Sequence, residues 1–252
     1  MKYFKLFPVL LLFCSFYSRA DFEEGGAAYL RGDYEAAAKE FIPLAERGDH
    51  RAMYALGSMY SAGQGVEKDL NKSFELFSEA AKNGRADAMY KLGLMYEQGL
   101  GINQDAKKAI RLYQKSAKQG YPLGQYRLGL MYMNGLGVKQ NPINAYAWLT
   151  VAGHYFIYEV ATDSNEQEVS NSADENKQKL LLFQREEKDK ILNEIVNNLQ
   201  ALKENLTPDD IEKIKQKVIQ ISKYRKKFPA KNAKNIQIDS KIENLFLPET
   251  LY

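Results

Sequence analysis

Apolar and polar positions along this chain follow a helical period that restarts every 36 residues. Between 52 and 62, Ala52, Leu56 and Tyr60, with Met53 and Gly57 beside them, fall at the three- and four-residue steps of one helix face. Gly63 and Gly65 then interrupt the stripe, and glycine there accepts the positive φ of a helix end and a tight turn. Asp69 follows, carrying a side-chain oxygen suited to cap a second helix. Leu76, Phe77, Ala80 and Ala81 make the apolar face of that helix, and Gly84 stops it. The pattern predicts a helix pair, A then B.

The pair is written again. Residues 88–123 laid on 52–87 give 15 identities in 36 positions without a gap, and a third copy starts at Gly124 and keeps register through Asn141 and Ala145. A contracted copy precedes them, with Asp33, Ala45 and Gly48 each 36 before Asp69, Ala81 and Gly84. Asp105 and Asn141 repeat the cap of the B helix, where Pro142 also fits a first turn. Leu112, Tyr113 and Ala117, then Trp148, Leu149 and Ala152, repeat its apolar face. A period of this length means a stacked array, so the expected fold is all-α, an α/α solenoid or superhelix over residues 21–153. Its units would be a contracted repeat at 21–51 and full repeats at 52–87, 88–123 and 124–153. Small residues at fixed positions, Gly93 among them, would let helix axes approach closely.

The recurring string "AMYALGSMYSAGQGVEKDLNKS", seen twice more in variant form, resembles the Sel-1-like repeat family, relatives of the tetratricopeptide repeats. That resemblance covers about residues 30–153 and implies a right-handed solenoid acting as adaptor or scaffold. Many bacterial members are exported and serve the envelope or host contact. Cysteine-rich relatives braced by disulfides are linked to penicillin binding, an association that does not carry over because this repeat region has no cysteine.

Past Ala152 the period fails. The string "TDSNEQEVSNSADENKQ" at 162–178 is polar and acidic, and it predicts a linker over residues 154–176. Residues 177–225 then read as a helical cap. Leu192, Ile195, Leu199, Leu202 and Leu206 form one apolar face, and Thr207, Pro208 and Asp210 open the second helix as a capping box. The resemblance implies the same, since family members often close on a helix pair containing such a motif. A coiled-coil dimer is the alternative use of that apolar face. Residues 226–252 form a basic and apolar tail.

Composition changes the picture at the two ends. Apolar residues make up 45% of the chain and aromatics 12%, enough to fill a core. At the start, Lys2 and Lys5 precede the apolar run "LFPVLLLFCSFY" and the small residues Ser18 and Ala20, the pattern of an export signal cleaved after Ala20. The run is too short for a membrane anchor, so no transmembrane segment is expected after removal, and the mature chain would be periplasmic or secreted. Cys14, the one cysteine, would leave with the signal, and with it disulfides, thiol nucleophiles and Cys-ligated metal. The loss of Lys2, Lys5 and Arg19 takes the net charge from +3 to 3 − 3 = 0. Residues 211–252 nevertheless hold ten Lys or Arg against four acids, and this basic end could meet peptidoglycan or another anionic envelope polymer. Nucleic acid is not an expected partner of an exported chain. "LPET" at 247–250 is not a sorting signal, because Leu251 stands where glycine is required.

No catalytic constellation emerges. His50 and His154 lie far apart, without a second histidine or an acid at metal-ligand spacing. HExxH, GxSxG, SxxK, Walker and EF-hand patterns are missing from the sequence, and the GxG of "GQGVEKD" joins helix to helix where a dinucleotide loop joins strand to helix. The expectation is a binding protein without metal or cofactor, and an envelope-polymer hydrolase ranks below scaffold and polymer binder. Its predicted partner face is the side of helix A opposite the Leu56 stripe: Tyr54, Ser58 and Ser61 in the first repeat, Tyr90, Leu94 and Glu97 in the second, Tyr126, Leu130 and Met133 in the third. Three tyrosines flanked by leucine and methionine would suit a protein or peptide partner. The same rings could instead pack between successive A helices.

Overall fold

The computed structural model describes residues 21–162 and 175–222. The expected export signal, the middle of the polar segment, most of the basic run and the tail lie outside the described residues. Within them all regular secondary structure is helical. Helix α1 covers 21–30 and is followed by α2 (Tyr34–Glu46), α3 (His50–Ala62), α4 (Leu70–Lys82), α5 (Ala86–Gln98) and α6 (Ala106–Lys118). Next come α7 (Pro122–Asn134), α8 (Pro142–Thr162), α9 (Glu175–Lys203) and α10 (Pro208–Ser222). The chain divides into two compact units, the first ending at Ala88 and the second beginning at Met89.

In the first unit the pairs form as the local chemistry dictates. Asp49 caps α3 by accepting from the Arg51 and Ala52 N–H groups, and Asp69 caps α4 by accepting from Asn71 and Lys72. Helix α3 ends at Gly63, whose φ of 73° lets its N–H reach back to the Met59 carbonyl. Phe41, Leu44, Leu56 and Met59 are among the buried residues that join α2 to α3. Helix α3 meets α4 at Gly57: a Cβ there would sit 3.1 Å from the Phe77 ring, and the buried Ser73 hydroxyl donates to the Gly57 carbonyl at 2.7 Å. Gly65 sets the next spacing. Its φ is 66°, and a Cβ on it would fall 2.1 Å from the Tyr34 carbonyl oxygen, so the A–B loop of one pair rests on the first turn of the preceding B helix.

The second unit repeats both contacts. Gly93 of α5 lies against Tyr113 of α6, where a Cβ would approach the ring to 2.6 Å, and Gly129 of α7 lies against Leu149 of α8 at 2.8 Å. Gly137, at φ 69°, abuts the Ala106 carbonyl as Gly65 abuts Tyr34. Helices α9 and α10 both pack on α8, burying Ile195, Leu199, Ile214, Val218 and Ile221. Thr207 and Asp210 form the capping box of α10, each backbone N–H donating to the other's side chain at 3.1 and 3.2 Å. Residues 154–162, expected to begin a linker, are helical instead. Helix α8 continues to Thr162 because "HYFIYEVA" is apolar: Phe156 and Ile157 are buried in the core that α9 and α10 share. Loss of the 36-residue register at 153 marks the end of the repeat, not of the helix.

Candidate interaction face on the A helices

Helices α3, α5 and α7 are the A helices, and each predicted site residue lies on one of them. In the first unit Tyr54 is partly exposed, with its ring 5.7 Å from Phe77 and the Arg85 guanidinium 5.2 Å above it. Arg85 is held there by a two-point bond to Asp87, at 3.0 and 2.5 Å. Ser58 and Ser61 are half-buried, and the Ser58 hydroxyl donates to the Tyr54 carbonyl.

In the second unit the tyrosines depart from an open ladder. Tyr90 is 8% exposed and Tyr126 4%. The Tyr90 ring lies 6.0 Å from that of Tyr113 and 5.5 Å from that of Tyr121, so these rings are mainly packing. Leu94, Glu97, Leu130 and Met133 are half-buried and keep part of their surface in solvent. The structure brings the second- and third-repeat positions together through charge. The Tyr113 hydroxyl donates to Glu97 Oε2 at 2.5 Å, and Arg127 Nη1 lies 3.8 Å from Glu97 Oε1. Tyr90 also lies within interaction range of Arg127, and Glu194 of α9 within range of the Tyr126 hydroxyl.

This network shifts its members' acidities. Burial, then the bond to Glu97, holds the Tyr113 phenol far above its ordinary range. Burial and Glu194 do the same for Tyr126, and burial alone raises Tyr146 to about 12. Burial works against the charge of Arg127, but Glu97 and the two tyrosines outweigh it and keep the guanidinium above its ordinary value. Lys91 has no such compensation, and burial depresses its ammonium.

Sequence reading passes over three of these residues. Arg127 and Lys91 stand one place after the tyrosines, where the first repeat has Ala55, and Tyr113 reads as plain B-helix core. A signal was nevertheless present: the second repeat alone pairs an acid at Glu97 with a hydroxyl at Tyr113, where the others have Ser61 with Phe77 and Met133 with Leu149. No cluster of three or more His, Cys, Asp or Glu that could hold a metal occurs among the described residues, and no helix among them is long and apolar enough to cross a membrane.

Comparison with known proteins agrees with this architecture. A family model described as the Sel1 repeat matches residues 50–84, 86–121 and 122–153. A crystal structure of a Sel1 repeat protein from Oxalobacter formigenes superposes with a TM-score of 0.51 at 21% identity, over 80% of this chain and 75% of that one. That of c5321, a protective antigen of uropathogenic Escherichia coli with an SLR fold, gives 0.54 at 24% identity, over 82% of this chain and 45% of that one. A search of curated proteins finds no match. At such identities the structural likeness concerns the fold alone. The three repeat matches, the helix pairs they cover and the glycine contacts that join each pair agree, and residues 50–153 are built of three Sel1 repeats.

Proposed function

We propose that this chain is an exported interaction scaffold, holding a protein or peptide partner on the exposed parts of its A helices in an envelope or host-contact process. Sel1 repeat proteins generally mediate protein–protein interactions, and the fold is typically a non-catalytic scaffold. The observation that carries the reading is the surface of α5 and α7. There Leu94, Leu130 and Met133 stay half-exposed around the Glu97–Arg127 network, and apolar surface beside anchored polar groups suits recognition. In the first unit Tyr54, Ser58 and the Arg85 guanidinium offer a smaller patch of the same kind.

Photocrosslinking side chains placed at 94 and 130 test this against one placed at Lys82, an exposed B-helix position. The expected outcome is one protein crosslinked from 94 and 130 and not from 82. Equal labelling from all three would refute the face. Export predicts a mature N-terminus at Asp21, which sequencing of the purified protein reads directly. A second reading, peptidoglycan binding through the basic end, draws on the ten cations of 211–252. It requires co-sedimentation with sacculi that reversing the charges at Arg225, Lys226 and Lys227 abolishes.

A further inference from the structure

The two helices of the cap are unequal. Helix α9 has 29 residues and α10 has 15, joined by residues 204–207, and so short a connection makes them antiparallel neighbours. Helix α10 therefore runs back beside α9 only to about residue 189, and Ser222 ends it near that level. On the covered half of α9, Ile195 and Leu199 are fully buried. On the other half, over 178–190, no described side chain is buried, although the sequence there contains Leu180, Leu181, Leu182 and Phe183 in a row. Leu182 is 47% exposed and Phe183 59%, the greatest exposure of a large apolar side chain among the described residues. Ile219, in the last turn of α10, is 46% exposed at the same end of the hairpin. A lone stretch of helix this short is marginal in water, and apolar side chains grouped on its surface call for a cover.

We propose that the cover is the chain's own tail, and that residues 242–247 dock on Leu182 and Phe183. Two stretches that adjoin α9 and α10 lie outside the described residues. Residues 163–174 offer Val169 as their one large apolar side chain, too little to cover a leucine and a phenylalanine. In 242–247, Ile242, Leu245 and Phe246 fall at steps of three and four, the spacing that puts apolar groups on one face of a helical turn, and Leu247 follows them. Reach selects the same segment. From the level of Ser222 to Phe183 is about six residues of α9, roughly 9 Å, and nineteen residues, 223–241, precede Ile242. A coil of that length spans roughly 24 Å end to end, so the tether imposes no strain and holds the segment at a millimolar effective concentration. A second copy of the chain at micromolar concentration competes at a disadvantage of about a thousandfold. Docking would also close Arg225, Lys226 and Lys227 into a loop anchored at both ends.

Disulfide trapping tests this in the whole chain carrying Cys14→Ser, which leaves no other thiol. Phe183→Cys with Phe246→Cys should crosslink within one chain under mild oxidation, at least tenfold faster than Leu136→Cys with Phe246→Cys. Leu136 is the control because it is an exposed leucine of the same unit, at 45%. Melting gives a second readout. Phe183→Ser and Phe246→Ser should each lower the melting temperature by about 3–5 °C, and together by no more than either alone, because both remove one shared contact. An unchanged melting temperature for Phe183→Ser, as expected of a side chain that stays in water, would overturn the docking, and so would equal trapping from 136. Disulfides that join two chains would overturn the occupant and assign the face to a second copy.

Discussion

In the first unit the A-helix tyrosine, Tyr54, leans on a phenylalanine and lies under Arg85, whose charge is answered by Asp87 in the same unit. In the second, Tyr90 leans on a tyrosine, Tyr113, whose hydroxyl requires an acceptor and finds it in Glu97. Both units close helix A on helix B over a glycine, Gly57 or Gly93. The frame is shared, and the polar fittings differ as matched sets. Phe77 goes with Ser61, Tyr113 with Glu97, and Leu149 with Met133, so a buried hydroxyl occurs where a neighbouring helix turn supplies its partner. The difference shows where a solenoid can vary without loss of fold. Glycines at the A–B contact leave little room for bulk, least at Gly93, while side chains one turn away can change if they change together.

The largest effect that would break this comparison is at the frame. Gly93→Val should cost about 3 kcal/mol or more by overpacking against a ring that is fully buried and hydrogen-bonded, read by urea denaturation. Gly57→Ala should instead fall within about 1 kcal/mol of neutral. Its Cβ meets Phe77 at 3.1 Å, and alanine's helix preference of about 1 kcal/mol over glycine offsets the crowding. Next, Tyr113→Phe should cost about 2 kcal/mol, since it deletes a hydrogen bond to a carboxylate and leaves Glu97 to Arg127 alone. The reverse exchange sharpens the point. Phe77→Tyr with Ser61→Glu should be more stable than the sum of the single changes by about 1 kcal/mol, and a coupling near zero would show that the pairing is incidental.

A smaller effect is expected at the caps. Asp69→Ala should cost about 1 kcal/mol by releasing the Asn71 and Lys72 N–H groups, with helix α4 fraying first in hydrogen exchange. The smallest concerns pH. Tyr90, Tyr113, Tyr126 and Tyr146 of the second unit titrate above the ordinary phenol value of about 10. Their contribution is complete below that value and is lost as pH rises through it toward the raised folded values. Melting should therefore decline only slightly between pH 8 and 9.5 and steeply beyond 10, and Tyr146→Phe should flatten the steep part. Lys91 runs the other way, because its depressed ammonium ceases to burden the fold once it deprotonates.

Much of this protein was legible in its residues alone. The 36-residue register, the caps at Asp69 and Asp105, the left-handed glycine ending α3 and the Thr207–Asp210 box are formed by groups a few positions apart, so chain-local physics suffices to find them. The nearness of Gly93 to helix B was also readable, because a repeat without a side chain at a fixed helical place implies close approach. The state of the tyrosines was not. Whether Tyr90 and Tyr126 face water depends on rings and helices 20 to 70 residues away, including Tyr113, Tyr121 and Glu194. The persistence of α8 past 153 depended likewise on α9 and α10 arriving to cover Phe156 and Ile157. Periodicity reports which face of a helix is apolar. Only the packed neighbours decide how much of that face, and of the polar one opposite, remains for a partner, because burial is a property of the space between helices and not of either sequence that bounds it.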